Sequence, residues 1–460
     1  MTSTLHVYNT QSRSLERFET IEPGKVRMYV CGVTPYASAH IGHAMSAIVF
    51  DVIKRYLLFL GYEVRHAINF TDIDDKIIAR ATEQGRSPDE LTEELILDWL
   101  RELGDLNVLP ATVYPRATHE IPEIIATIEG LVLGGHAYER DGDVYYRVRS
   151  FGGYGKLSHR SVDDMLSGAR IDVDERKDDP LDFALWKAAK PGEPRWSSPW
   201  GDGRPGWHIE CSAMCAHHLG GAVDIHGGGA DLIFPHHENE IAQSEAYLGI
   251  EPFARYWVHN GLLQLGTEKM SKSIGDMVSV DDLVSRGRQN AFRLFVLQSH
   301  YRKPLTYTET ALEAAHTGYE RLRAAAFNVV PGEAPDSAMD EPIRAAFAQA
   351  MDDDFDTSRA VANLFDLARD INRRAASGGE VTALRRSLAI ALTTLGFDLA
   401  AVDEPVDDDI VPFVEVLLTV REELRAARQW ALADRIRDEL ARLGVAIADA
   451  PTGATWQRSR

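Results

Sequence analysis

The chain is expected to adopt an α/β fold built on a parallel sheet, interrupted by an insertion and followed by a mostly helical second half. Three observations point there. Residues 25–31 (KVRMYVC) form a short apolar run that ends at the turn-prone Gly32. Ile48, Val49, Val52, Ile53, Tyr56, Leu57 and Leu60 then recur at helical spacing up to Gly61, and Val64, His66, Ile68 and Phe70 alternate as a strand would. Strand, helix and strand in that order suit two parallel strands joined by a crossover.

The later elements follow the same logic. Asp72 or Asp74 could cap a helix after the second strand. Residues 116–200 carry paired glycines, scattered charges and a Pro/Trp-rich stretch from Pro191 to Trp200, which marks an insertion. The α/β pattern resumes near Gly206, with a strand at 222–226 entering Gly227-Gly228-Gly229 and a helix from His236 to Leu248. Residues 256–265 are strand-like, and from Asp281 onward the pattern is mostly helical. Linker-like stretches at 330–342 and 403–409 divide the remainder, and Val361, Leu364, Leu367/Ala368 and Ile371 form one amphipathic stripe. Segments are accordingly expected at 1–115, 116–200, 201–265, 266–329, 330–400 and 401–460.

Composition narrows the function. With 460 residues, 45% of them hydrophobic, the chain has ample material for large cores. No apolar run approaches the roughly 18 residues of a membrane span, and residues 1–22 lack a stretch of signal-peptide type, so a cytoplasmic protein is expected. Three cysteines (Cys31, Cys211, Cys215) are too few for a disulfide scaffold in so long a chain and suit ligand or structural roles. A net charge of −21 excludes broad, nonspecific coating of nucleic acid. The last forty residues differ, with eight Arg, no Lys and six acidic residues, and Arg421, Arg425 and Arg428 fall along one expected helix.

Three groups of residues carry chemistry. His40-Ile41-Gly42-His43 lies where the first strand hands over to the first helix, whose N-terminus offers free N–H groups and a positive dipole end to phosphate. Lys269-Met270-Ser271-Lys272-Ser273 lies in a loop after the strand-like stretch, where two lysines suit a triphosphate and the charge that develops as pyrophosphate leaves. Alone, each motif could be ordinary surface; together and in this order they are far more specific. The third group is metal-like. Six of the 16 histidines fall between His208 and His237, beside Cys211 and Cys215. His236 and Glu240 stand at i, i+4, and Cys31 could meet Cys211, His236 and Glu240 across the sheet end to bind one zinc. Burial as a small hydrophobe is the alternative for Cys31 and the preferred reading for Cys215. The run His237-Glu238-Asn239-Glu240-Ile241 puts isoleucine where a zinc protease needs its second histidine, so that reading fails.

With these residues in place, the chain resembles the cysteinyl-tRNA synthetase family of class I aminoacyl-tRNA synthetases almost end to end. The resemblance rests on MYVCG at 28–32, HIGH at 40–43, FTDIDDKII at 70–78, GWHIECSAM at 206–214, DIHGGGADLIFPHHENEIAQS at 224–244, KMSKS at 269–273, MDDDFDTSRAVANLF at 351–365 and the end of the chain at 432–456. It implies a Rossmann-like catalytic domain split by a connective insertion, a helical bundle and a small C-terminal anticodon-binding domain. It further implies zinc on Cys31, Cys211, His236 and Glu240, ATP phosphates on His40 and His43, and Lys272 as the mobile lysine on ATP, beside Lys269. Thr71, Trp207 and His226 become pocket residues around the amino acid. Implied partners are L-cysteine, ATP with Mg2+, and tRNA(Cys), with no membrane. A related alternative is an ATP-dependent ligase that passes cysteine to an aminosugar in mycothiol synthesis. The sequence departs from the family pattern at residues 33–38, where the acidic residue after Tyr36 is replaced by Ala37, at Met45, and at Ile274-Gly275-Asp276.

Overall fold

The computed structural model describes residues 4–162, 165, 176–266, 278–326, 339–399, 411–442, 445–450 and 453–458. Its central feature is a four-stranded, all-parallel sheet with the spatial order Ala254–Asn260, Val223–Gly229, Lys25–Val30, Glu63–Ile68. Within this sheet the first two strands in chain order, Lys25–Val30 inside it and Glu63–Ile68 at its edge, are neighbours joined by the helix Ile41–Phe59. This is the Rossmann-like arrangement expected from the sequence. Alternation along Lys25–Val30 sends Val26, Met28 and Val30 into the core under that helix, and Tyr29 to the opposite face. Cys31 follows Tyr29 by two and packs on the same opposite face, against the helix Trp207–Leu219.

Differences from the sequence reading have local causes. The helix Asp75–Gln84 is capped by Asp74, which accepts the Lys76 N–H at 2.9 Å; Asp72 instead holds Thr118. The strand Val223–Gly229 runs through all three glycines rather than stopping at His226. The helix expected from His236 begins at Glu238, after a wider turn over Ile233–His237. Residues 256–265 contain two strands, Ala254–Asn260 and Leu263–Leu265, separated by a bend.

A second, antiparallel sheet is ordered Ala137–Arg140, Asp143–Tyr146, Phe183–Ala188, Gly203–Pro205, its last strand lying beyond the 116–200 expected for the insertion. Helices Gln289–Leu297, Glu309–Ala326, Glu341–Met351, Thr357–Ala376 and Thr382–Thr394 follow. Val361, Leu364, Ala368 and Ile371 are buried as the stripe requires, and they share one continuous core with Ile48, Phe50 and Ile53 of the first helix. Residues up to Leu399 form one compact unit. Residues 400–460 form a second, in which helices Val411–Ala426 and Trp430–Arg442 and the hairpin Val445–Ala450/Gly453–Arg458 pack around Val414, Leu418, Leu440 and Val445. The three arginines expected along one helix do not all lie on it. Arg421 is only 2% exposed, and Arg428 lies beyond its helix at φ 61°. Among the described residues no helix is long and apolar enough to cross a membrane.

Candidate active site and metal centre

The site lies at the C-terminal ends of the parallel strands, where α/β sheets bind ligands. One row of side chains crosses the sheet, because Trp257 pairs with His226 and His226 with Tyr29. The His226 ring stacks on Tyr29 with 5.1 Å between centroids and lies 4.4 Å from Trp257. Two residues along each strand, Gly228 pairs with His259. A Cβ on Gly228 would stand 3.1 Å from His237 Cε1 and 2.8 Å from Leu232 Cδ1, so glycine makes room for the His237 ring.

Over this floor, the helix Trp207–Leu219 brings Cys211 down to Cys31, with 3.8 Å between the sulfurs. His236 Nε2 is 3.1 Å from Glu240 Oε1, and Cys31 Sγ is 3.3 Å from the same oxygen. One donor atom from each of Cys31, Cys211, His236 and Glu240 falls within 4.8 Å of every other, and Glu240 and Cys211 are fully buried. A second set, Cys31, His226, His237 and Glu240, meets the same limit through the two shared residues. Two sulfurs, an imidazole and a carboxylate make the donor set that suits zinc. The first set alone contains both sulfurs.

The protonation pattern agrees with a metal seat. The Cys31 thiol donates to Cys211, which lowers the Cys211 thiol to about 6, while burial drives Cys31 well up. Burial works against a charged His236, but the Glu240 carboxylate and the Cys211 thiolate carry it up to about 10. Burial likewise opposes charge on Glu240, yet His226 and His236 hold it well below the carboxylate range. The cluster thus stores negative charge with only protons to balance it. Cys215, fully buried one turn beyond Cys211, belongs to neither set, and burial pushes its thiol up.

The HIGH segment is built to donate. His40 is the N-cap of the helix Ile41–Phe59, and its Nδ1 accepts the Gly42 N–H at 3.1 Å. His43 Nδ1 accepts the His40 N–H at 3.3 Å. With both Nδ1 atoms accepting, each ring carries its hydrogen on Nε2. The rings stack 3.8 Å apart, and burial lowers both, His43 to about 4. They are therefore neutral donors at ordinary pH rather than cations.

Lys269, Met270, Ser271, Lys272 and Ser273 lie outside the described residues. The chain resumes at Val278, whose carbonyl accepts the Ile41 N–H at 3.0 Å, while the Val280 N–H donates to Ala39 at 3.1 Å. The chain that leaves the KMSKS segment is thus hydrogen-bonded to the start of the HIGH helix. Of the expected pocket residues, Trp207 stacks on His236 at 4.4 Å and is 39% exposed, and His226 Nε2 stands 3.3 Å from Glu240 Oε2. Thr71 is buried, and its hydroxyl accepts a bond from Asn69 at 3.4 Å. Sequence reasoning passed over His208, His237, His259 and Glu210. His237 Nε2 lies 3.3 Å from Cys31, its Nδ1 2.8 Å from His259, and His208 Nδ1 3.0 Å from that of His236. The histidine clustering was the available signal, but only the fold says which rings face inward.

Solved structures with this fold include two of the methionyl-tRNA synthetase of Mycobacterium tuberculosis with methionyl-adenylate. They are 17% and 16% identical, with TM-scores of 0.55 and 0.56; each match covers 81% of this chain and 89% or 90% of the other. Residues 17–317 match the family described as tRNA synthetases class I (C) catalytic domain. Fold and site together define an aminoacyl-tRNA synthetase of class I. Residues 346–400 match the DALR domain, and 407–456 the cysteinyl-tRNA ligase anticodon binding domain. The cysteine–tRNA ligase of Dehalococcoides mccartyi strain BAV1 is 52% identical over 98% of this chain and 99% of its own length, and that of Geobacillus thermodenitrificans 48% over 99% of each. The chain belongs to the cysteine–tRNA ligase family.

Proposed function

We propose that this enzyme joins L-cysteine to tRNA(Cys), with Cys31, Cys211, His236 and Glu240 holding one zinc, and that it works in the cytoplasm. The observation that carries the reading is the sulfur-containing cluster at the sheet end, beside the phosphate-binding helix start. Bound there, zinc supplies a soft Lewis acid that takes a thiolate far more readily than a hydroxyl. Such a distinction is what cysteine against serine demands, because an apolar pocket separates near-isosteres by only ~100-fold.

In the first step a carboxylate oxygen of cysteine attacks the α-phosphorus of ATP; the bond to the bridging oxygen breaks and pyrophosphate leaves. The Nε2–H groups of His40 and His43 donate to phosphate oxygens, and the N-terminus of Ile41–Phe59 adds its dipole. Lys269 and Lys272 are assigned to the departing pyrophosphate, and Thr71, Trp207 and His226 to the cysteine pocket. A tRNA 3′-terminal hydroxyl then attacks the acyl carbon and AMP leaves. The match at 407–456 favours tRNA over an aminosugar as acceptor. Exposed Trp430 and Arg428 offer splayed bases a stacking surface and charge. Cysteine-dependent exchange of pyrophosphate into ATP without tRNA, with cysteine charging of total tRNA, tests the proposal. Exchange without charging would move the aminosugar ligase ahead, and no exchange would end both readings.

A further inference from the structure

Glu210 is a buried carboxyl that the steps above do not use. It sits on the helix Trp207–Leu219 at 0% exposure, and neither of its oxygens has a hydrogen-bond partner among the described residues. Its neighbours make this unusual. Glu240 faces His226 and His236, and Glu238 accepts the backbone N–H groups of Gly155, Leu157 and Ser158 at 2.9, 3.2 and 2.8 Å. Asp72 accepts the Thr118 N–H and hydroxyl at 2.9 and 2.6 Å, and Asp74 caps a helix. A buried carboxyl left without donors is costly, so its persistence calls for a ligand that supplies them.

Its position says which ligand. Trp207, Glu210 and Cys211 stand at i, i+3 and i+4 and so share one helix face. Cys211 belongs to the metal cluster, and Trp207 stacks on His236. Burial pushes the Glu210 carboxyl well up from the usual carboxylate range, and the nearby Thr71 hydroxyl only partly offsets that. Three of the groups that define the amino-acid site therefore surround this one. We infer that Glu210 receives the α-ammonium of the substrate while the thiol lies among Cys31, Cys211, His236 and Glu240; this rests on the reading of that cluster as the seat of the cysteine sulfur. The ammonium is three bonds from the sulfur, and Glu210 is the chain neighbour of Cys211, with Cα atoms about 3.8 Å apart. Recognition through the ammonium also leaves the substrate carboxylate free for the α-phosphate.

The test is calorimetric binding to zinc-loaded protein of two half-substrates: cysteamine, which keeps thiol and ammonium, and 3-mercaptopropionate, which keeps thiol and carboxylate. Glu210→Gln should leave zinc content unchanged and weaken cysteamine about 10- to 100-fold, the range of a charge-assisted bond. Binding of 3-mercaptopropionate should stay within about twofold. Glu210→Asp, which keeps the charge on a shorter stem, should show the same selective loss to a smaller degree. Equal losses for both compounds, or unaltered cysteamine binding, would overturn the inference. In the unaltered protein, ethanolamine binding as tightly as cysteamine would overturn the sulfur reading itself, and the inference with it.

Discussion

At the scale of single residues, the metal centre separates two cysteines that the chain places only four apart. Cys211→Ser replaces a thiolate with a hydroxyl among the donors, so the variant should lose zinc and activate serine alongside cysteine. Cys215→Ala removes a buried thiol that faces no donor set, and should do neither; elemental analysis and paired exchange assays distinguish them. The protons on the cluster lead to a second prediction. Near pH 7 His236 and Cys31 hold protons that a metal must displace, on the order of two per zinc, whereas Cys211 and Glu240 have already lost theirs. Lowering the pH adds competing protons, so zinc affinity of chelator-stripped protein should fall steadily from about pH 8 to pH 6, read by competition with a chromogenic chelator. A flat profile would contradict the protonation pattern. Cys31, Cys211, His236 and Glu240, which the structure brings together, could be singled out in the sequence because their residue types, and for His236 and Glu240 the i, i+4 spacing, are local signals. Glu210 and His237 could not, since a carboxylate or imidazole beside a motif gains its meaning from which way the backbone turns it.

Among the elements, the first helix is gripped from its far side. Asp51, 2% exposed, accepts from Arg293 Nη1 at 2.8 Å, and Arg293 also donates to the carbonyls of Leu106, Asn107 and Leu395 at 2.8, 3.1 and 3.1 Å. One guanidinium thereby ties the helix Ile41–Phe59 to Gln289–Leu297 and to the end of Thr382–Thr394. Arg293→Met would take this donor from the Leu106 and Leu395 carbonyls, while Asp51 and the Asn107 carbonyl keep Arg55, and should destabilise the chain by about 2–3 kcal/mol, seen as a lower urea midpoint. Gly396→Ala should act in the same direction, because its Cβ would stand 2.2 Å from Arg293 Nη1 and the residue sits at φ +79°. Element types were readable from periodicity: the stripe through Val361 and Ile371 is buried as its spacing required. Ends were less so. Asp72 and Asp74 look alike as caps, and the choice fell to Thr118, which is far along the chain and claims Asp72. The arginine row failed for a related reason, since spacing along a helix does not tell which face meets the core; Arg421 is on the buried one.

For the whole molecule, the chain divides into two units after Leu399, and the proposed function puts activation in the first and anticodon recognition in the second. A chain ending there keeps the metal donors, the HIGH helix and residues 269–273, so it should retain cysteine-dependent pyrophosphate exchange and charge tRNA far less well. Charging by the full chain should weaken as salt rises, as phosphate contacts require. Equal charging by both forms would remove the C-terminal unit from tRNA recognition. Within the larger unit, the join between residues 39–41 and 278–280 has a consequence for how such a chain tolerates mutation. Both bonds run between main-chain atoms, so almost any side chain there leaves them intact, and only proline at Ile41 or Val280 deletes a donor. The stitch between residues 39–41 and 278–280 is therefore written in no particular letters. A comparison of alphabets would pass over it, while a scan with proline would find it at once.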